Sequence, residues 1–229
     1  MKFMKCLVYG INFVFMIIFI GACTNKSSNS SGTVIILNGP SSVGKSSIQK
    51  KVQELFQKPY LRMGLDDLAF LPECYISTKG SISPANRGIW LETTQQGEYP
   101  VTTIHYGDVA QKMIKGINRT FAAFAIAGNN IVVDYILYDH SWLTDLKNVL
   151  KKFKVYFIGV HAPLEVIEER EKKRGSRLLG HARSHYNTVH KNITYDLEID
   201  TSKLTPEQAA IVIQKYIEQN PNPQAFQKN

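Results

Sequence analysis

Apolar residues follow two rhythms along the chain. Short, nearly continuous runs stand at residues 33–37, 60–65, 131–133 and 155–160, each bounded by polar residues, glycine or proline. Runs of this length read as strands buried on both faces. Between them the apolar positions recur at three and four. Ile48, Val52, Leu55 and Phe56 mark one face of a helix over residues 46–57, and similar spacing predicts helices over 106–127, 140–151 and 205–218. Gly128 with two following asparagines suits the end of the second of these. Pro163 starts a further helix at a favoured position, and Arg174-Gly175 breaks it. A last strand is predicted over 195–200. Strands alternating with helices call for an α/β fold: a parallel sheet covered on both faces, with ligands outside the carboxyl ends of the strands.

Residues 72–105 keep neither rhythm and carry Pro72, Gly80, Pro84, Gly88, Gly97 and Pro100. A connection this long is commonly a lid or binding loop. With Tyr75, Trp90 and Tyr99 it reads as part of a substrate cap, the alternative being a solvated insertion. Residues 220–229 read as a frayed tail.

The first 30 residues belong to a different pattern. Lys2 and Lys5 precede residues 6–20, which hold no formal charge, and Ile20-Gly-Ala-Cys23 follows. A basic start, an apolar core and small residues before a break read as an export leader over residues 1–22. The last four of these residues resemble the lipobox of bacterial lipoproteins, which would make Cys23 the lipidated first residue of a membrane-anchored, exported protein. An uncleaved membrane anchor is the alternative, and a cytoplasmic protein starting at Met16 is another. Residues 23–32 form a polar tether, and residues 33–219 hold one well-filled core. With Cys6 in the leader and Cys23 acylated, Cys74 has no partner for an internal disulfide. Loss of Lys2 and Lys5 with the leader lowers the net charge from +8 to +6. That balance suits a phosphate-rich ligand or an anionic membrane without deciding between them.

The first strand runs into Asn38, then Gly39, Pro40, Ser41, Ser42, Val43, Gly44, Lys45, Ser46 and Ser47. Gly39, Gly44, Lys45 and Ser46 supply G-x-x-x-x-G-K-S between a buried-type strand and an amphipathic helix, the context a phosphate loop requires. The glycines permit a tight turn, and a helix N-terminus favours anions. Lys45 can reach the β- and γ-phosphates of a nucleotide, and the Ser46 hydroxyl can ligate Mg²⁺. Asp66 ends the second strand on the same edge, where a carboxylate could take a proton from a substrate hydroxyl; a helix cap is the plainer role. Asp67 beside it reads as such a cap. Asp134 ends an apolar strand, the place of a Walker-B acid for Mg²⁺, with a strand-end turn as the alternative. Arg170, Arg174 and Arg177 lie in a mixed-charge stretch whose default is a solvated helix face. The break at Gly175 frees Arg174 and Arg177 to swing onto phosphates. His181 and His185 are four apart, a spacing that suits a metal, but no H-E-x-x-H motif accompanies them.

The sequence resembles the chloramphenicol phosphotransferase-like family of P-loop kinases. The resemblance rests on residues 33–46, on Met63-Gly-Leu-Asp66, on Ile131-Val-Val-Asp134, and on Gly159-Val160, Arg170-Glu171, Arg174-Gly-Ser-Arg177, Gly180, Val189-His190, Tyr195-Asp196 and Asp200-Thr201. It implies a five-stranded parallel sheet of the P-loop NTPase kind, an arginine-bearing lid, ATP with Mg²⁺, and transfer to a hydroxyl. It implies the catalytic aspartate's role for Asp66, closure of Arg170, Arg174 and Arg177 over the transferring group, and a nucleotide contact for Thr201. The family often has an acid where Ser176 stands, and residues 72–105 show no likeness to it. The expectation is therefore an ATP-dependent small-molecule O-phosphotransferase that takes a small hydroxylated acceptor and no nucleic acid. A nucleotide-binding membrane lipoprotein without turnover is the competing expectation.

Overall fold

The computed structural model describes residues 31–68, 70–175 and 178–227. The leader, Cys23, the tether as far as residue 30, Ser176 and Arg177 lie outside the described residues.

Five parallel strands form the central sheet: β1 (Val34–Asn38), β2 (Tyr60–Gly64), β6 (Asn130–Tyr135), β7 (Val155–His161) and β8 (Leu197–Asp200), in the order β2-β6-β1-β7-β8. β1 occupies the middle because every residue from Val34 to Leu37 is apolar and fully buried. Its side chains alternate between faces. Val34 and Ile36 join Val133, Phe157, Phe121 and Leu146 on one side, under α2 (Asp108–Ile126) and α3 (His140–Leu150). Ile35 and Leu37 join Ile48, Val132, Ile158 and Ile213 on the other, under α1 (Lys45–Leu55), α4 (Leu164–Arg174) and α6 (Pro206–Gln219). A capping box of Thr205 and Gln208 starts α6. One short helix, α5 (His181–Tyr186), follows α4. The parallel α/β sheet covered on both faces is the architecture the sequence predicts.

Three expectations fail. Residues 72–105 are not irregular: β4 (Ile89–Gln96) and β5 (Tyr99–Tyr106) pair antiparallel across Gly97 and Glu98, and a short β3 (Ile76–Ser77) pairs parallel with β4. Gly97 supplies the positive φ of 65° that the turn needs. Tyr106 accordingly ends a strand instead of starting a helix. Residues 220–227 are not frayed, because Phe226 packs edge-on against Phe157 at 5.3 Å and is 4% exposed. Asp67 does not cap a helix ahead of it, since it lies inside a single 3-10 turn, Asp66–Leu68.

Candidate active site

A cleft of about 1180 Å³ opens at the carboxyl ends of β1, β2 and β6. Its lining includes Lys45, Ser46, Asp66, Asp134, Arg170, Arg174 and Thr201, so residues scattered over the sequence meet in one place. The sheet register explains the meeting. Leu37 pairs with Asp134, and Gly64 also pairs with Asp134, from the opposite side. Asp134 is therefore flanked by the start of the phosphate loop and by the strand end that leads to Asp66. Gly64 keeps this gap open, for a Cβ there would stand 3.2 Å from Asp67 Oδ2 and 3.7 Å from Asp134 Cβ.

The phosphate loop is shaped by two glycines with different duties. Gly44 sits at φ 105° as N-cap of α1, a conformation that L side chains resist. Gly39 is required by close approach: a Cβ would lie 2.3 Å from the Val160 carbonyl oxygen of β7. Ser42 also holds a positive φ, 61°, and its buried Oγ has no hydrogen-bond partner among the described residues. No side chain caps α1 and its first turn contains no acid. With no side-chain cap and no acid there, that end of the helix suits an anion.

Ser46 Oγ donates to Asp134 Oδ2 at 2.6 Å. Lys45 is 4% exposed; its Nζ donates to the carbonyls of Gly39 and Pro40 at 2.9 and 2.8 Å and stands 3.4 Å from Asp134 Oδ1. A hydroxyl and a carboxylate this close form a hard-oxygen pair of the type Mg²⁺ takes. The residues present fit such an ion, with Ser46 and Asp134 as its holders.

Arg170 is anchored to the loop through Thr201. It donates to Thr201 Oγ1 and Thr201 O at 2.9 and 2.8 Å and reaches the Val43 carbonyl at 3.4 Å, while Thr201 Oγ1 donates to that carbonyl at 2.7 Å. Arg170 and Thr201 together brace the phosphate loop at the cleft. Arg174 is exposed at the cleft, and Arg177 lies outside the described residues. The hairpin of β4 and β5 supplies none of the cleft's described lining, contrary to the expected cap. It leans on the segment before α5, with the Thr102 N–H donating to the Gly180 carbonyl at 3.1 Å and Thr102 Oγ1 to the Leu179 carbonyl at 2.9 Å. Trp90 stacks on His105 at 3.8 Å, and Tyr99 lies under Arg183 at 4.6 Å.

Several further residues shape the site. Asn38, wholly buried, accepts the Leu137 N–H at 3.0 Å and donates to the Val189 carbonyl at 3.0 Å and to Tyr195 OH at 2.6 Å. His190 Nδ1 meets the same hydroxyl at 2.8 Å. Burial holds His190 down at about 4, helped by His161 stacked on it at 3.9 Å and by the Lys45 charge. Burial likewise pushes the Tyr195 phenol up. Gln49 Nε2 donates to the carbonyls of Met63 and Val132, both at 2.8 Å, tying β2 to β6 beneath the cleft. The Glu171 carboxylate, 2% exposed, accepts the N–H groups of Gly180 and Ala182 at 2.8 and 2.9 Å. His181 and His185 each serve as hydrogen-bonding side chains: His181 Nε2 meets Tyr138 OH at 2.9 Å, and His185 Nε2 accepts from the Ser41 N–H at 3.0 Å. A buried polar residue beside the phosphate loop is the one hint sequence offers for Asn38 and Gln49.

Fold and cleft define the class: a kinase-like phosphotransferase built on the P-loop fold. The family model for chloramphenicol phosphotransferase-like proteins matches residues 32–218, and the chain belongs to that family. A Mycobacterium tuberculosis protein, provisionally named an O-phosphotransferase, is 27% identical over 198 residues, spanning 86% of this chain and 87% of its own. Among solved structures, a sugar kinase from Janibacter sp. HTCC2649 superposes with a TM-score of 0.56 at 16% identity, covering 83% of this chain and 96% of that one. A gluconokinase from Sinorhizobium meliloti 1021 gives 0.56 at 15% identity, over 87% and 99%. The M. tuberculosis APS kinase in complex with AMPPNP and APS gives 0.55 at 14% identity, over 82% and 98%. These likenesses speak for the fold.

Proposed function

We propose that this chain transfers the γ-phosphoryl group of ATP to a hydroxyl of a small molecule. The observation that carries the reading is the junction of Ser46, Asp134 and Lys45, 2.6 and 3.4 Å from contact to contact, in a cleft that Asp66 also lines. Phosphoryl transfer needs positioning and charge compensation more than covalent help, and these residues offer both. The uncapped start of α1 and the loop N–H groups hold the phosphates. The Lys45 ammonium, now shared by two loop carbonyls, turns to the β- and γ-phosphates. Mg²⁺, bound by Ser46 and Asp134, would offset charge on the phosphate oxygens. Asp66 accepts the proton of the acceptor hydroxyl, and its position one strand away from the loop supports that division of labour. Arg174, with Arg177, is assigned the developing negative charge. Arg170 and Thr201 are assigned to the loop's support. The test is MgATP-dependent transfer of labelled phosphate to a panel of hydroxylated acceptors, with Asp66→Asn beside the wild type.

A further inference from the structure

All strands of a parallel sheet start at one edge and end at the other, so the edge where the chain enters β1 is opposite the cleft. The entry is tightly held. The Gly32 N–H donates to the Ala125 carbonyl at 2.8 Å, the Thr33 N–H to Asn130 Oδ1 at 2.9 Å, and the Val34 N–H to the Lys154 carbonyl at 2.9 Å. Asn130 Nδ2 donates in turn to the Pro59 carbonyl at 3.3 Å, and Gln227 Nε2 to the Lys151 carbonyl at 3.1 Å. These bonds gather residues 55–61, 124–133 and 146–156 around the point where the chain comes in.

The composition of those three segments is one-sided. They hold Lys58, Lys147, Lys151, Lys152 and Lys154 and neither aspartate nor glutamate. Elsewhere lysines sit beside acids, as in Lys51–Glu54, Lys173–Glu169 and Lys203–Asp200. Among the described residues none of Lys58, Lys151, Lys152 and Lys154 stands in an ion pair, and all four are exposed. The same segments carry exposed apolar side chains: Ile126 is 56% exposed, Leu61 38% and Phe124 37%. This basic, apolar-studded edge lies where the chain arrives from residues 6–20, the uncharged run.

We propose that this edge is a docking surface for an anionic lipid bilayer. Lys58, Lys151, Lys152 and Lys154 rest on acidic headgroups, Ile126 and Phe124 enter the interface, and the catalytic cleft faces away from the membrane. A single acyl chain holds a protein only marginally, and a polybasic patch is one of the second signals that strengthen such a hold. The chain that would carry the first signal and the surface that would carry the second meet at the same edge.

The experiment uses the full-length chain with vesicles of phosphatidylcholine alone or mixed with phosphatidylglycerol, reading sedimentation and hydrogen exchange. The expected result is preferential binding to the anionic vesicles, weakened by salt. Slower exchange should appear at 124–133 and 146–156 on those vesicles only, with the phosphate loop unaffected. The triple variant K151Q/K152Q/K154Q should lose that protection. Its preference for anionic over neutral vesicles should fall on the order of a hundredfold, about fivefold per lysine, with MgATP affinity unchanged. Equal binding to both vesicle types, protection centred on the cleft, or an unaltered preference in the triple variant would each overturn the proposal. So would a short DNA duplex that protects these segments where anionic vesicles do not.

Discussion

The Ser41 backbone N–H of the phosphate loop donates to Nε2 of His185, 3.0 Å away and 144 positions later in the chain. The bond needs a lone pair on Nε2, so the ring proton sits on Nδ1, which faces Ser184 Oγ at 3.2 Å. α5 thereby fixes the first bend of the loop that is to hold phosphate. His185→Leu leaves the Ser41 N–H unmet at a cost of about 1–3 kcal/mol, and MgATP affinity should fall roughly tenfold. His185→Gln, which keeps an acceptor, should recover most of it. Calorimetric titration of both variants checks this; equal loss in the two would reduce His185 to packing.

Lys45→Ala removes the ammonium from the loop mouth. MgATP binding should weaken by at least tenfold in a variant that stays folded, because the lost group is a point charge on phosphate. Unchanged affinity in a folded variant would sink the phosphate-loop assignment.

Gly39→Ala tests close approach in place of loop flexibility. The new methyl would meet the Val160 carbonyl at 2.3 Å, which forces β1 and β7 apart at the loop's root. A loss of about 1–3 kcal/mol is expected, on the scale of overpacking, together with weaker nucleotide binding. Phe226→Ala probes the docked tail, and emptying its site against Phe157 should cost about 3–5 kcal/mol. Thermal unfolding reads both, and a melting temperature unaffected by Phe226→Ala would mean that the tail contributes nothing.

Acid should destabilise the protein in part through His190. Burial holds its folded value at about 4 against an ordinary 6.5. Between those values the unfolded chain binds the proton and the folded one does not, so stability rises with pH across that window and falls as pH drops from 6.5 to 4. The contribution is on the order of 2 kcal/mol after allowance for partial exposure. His190→Gln should flatten that part of the stability–pH curve, which denaturant titrations at several pH values would reveal.

Strands β1, β6 and β7 were legible because each holds a continuous apolar run bounded by polar residues, and the phosphate loop because its motif fell between strand and helix. Asp66 and Asp134 could be placed at strand ends, and the register then brings them to one cleft. The hairpin was hidden by its own exposure. Thr93, Thr94, Gln95 and Gln96 face solvent, so the alternation that marks a half-buried strand is absent; Gly97-Glu98 between β-prone residues was the one available signal. The tail's burial rests on a single aromatic, Phe226, in a segment rich in proline, asparagine and glutamine. Asn38, Arg170 and His185 bond to partners 31 to 157 positions distant, and no local pattern announces such pairs.

The central claim is that Asp66 acts on the acceptor while the loop, Lys45, Ser46 and Asp134 act on the nucleotide. The most direct measurement is transfer of labelled γ-phosphate from MgATP to a broad panel of small hydroxylated compounds, by wild type, Asp66→Asn and Asp67→Asn, with MgATP affinity measured alongside. The expected result is transfer by the wild type, a loss of roughly 10²–10⁴-fold in Asp66→Asn at nearly unchanged MgATP affinity, and a small effect in Asp67→Asn. Tight MgATP binding with no transfer to any acceptor, or full activity in Asp66→Asn, would contradict it.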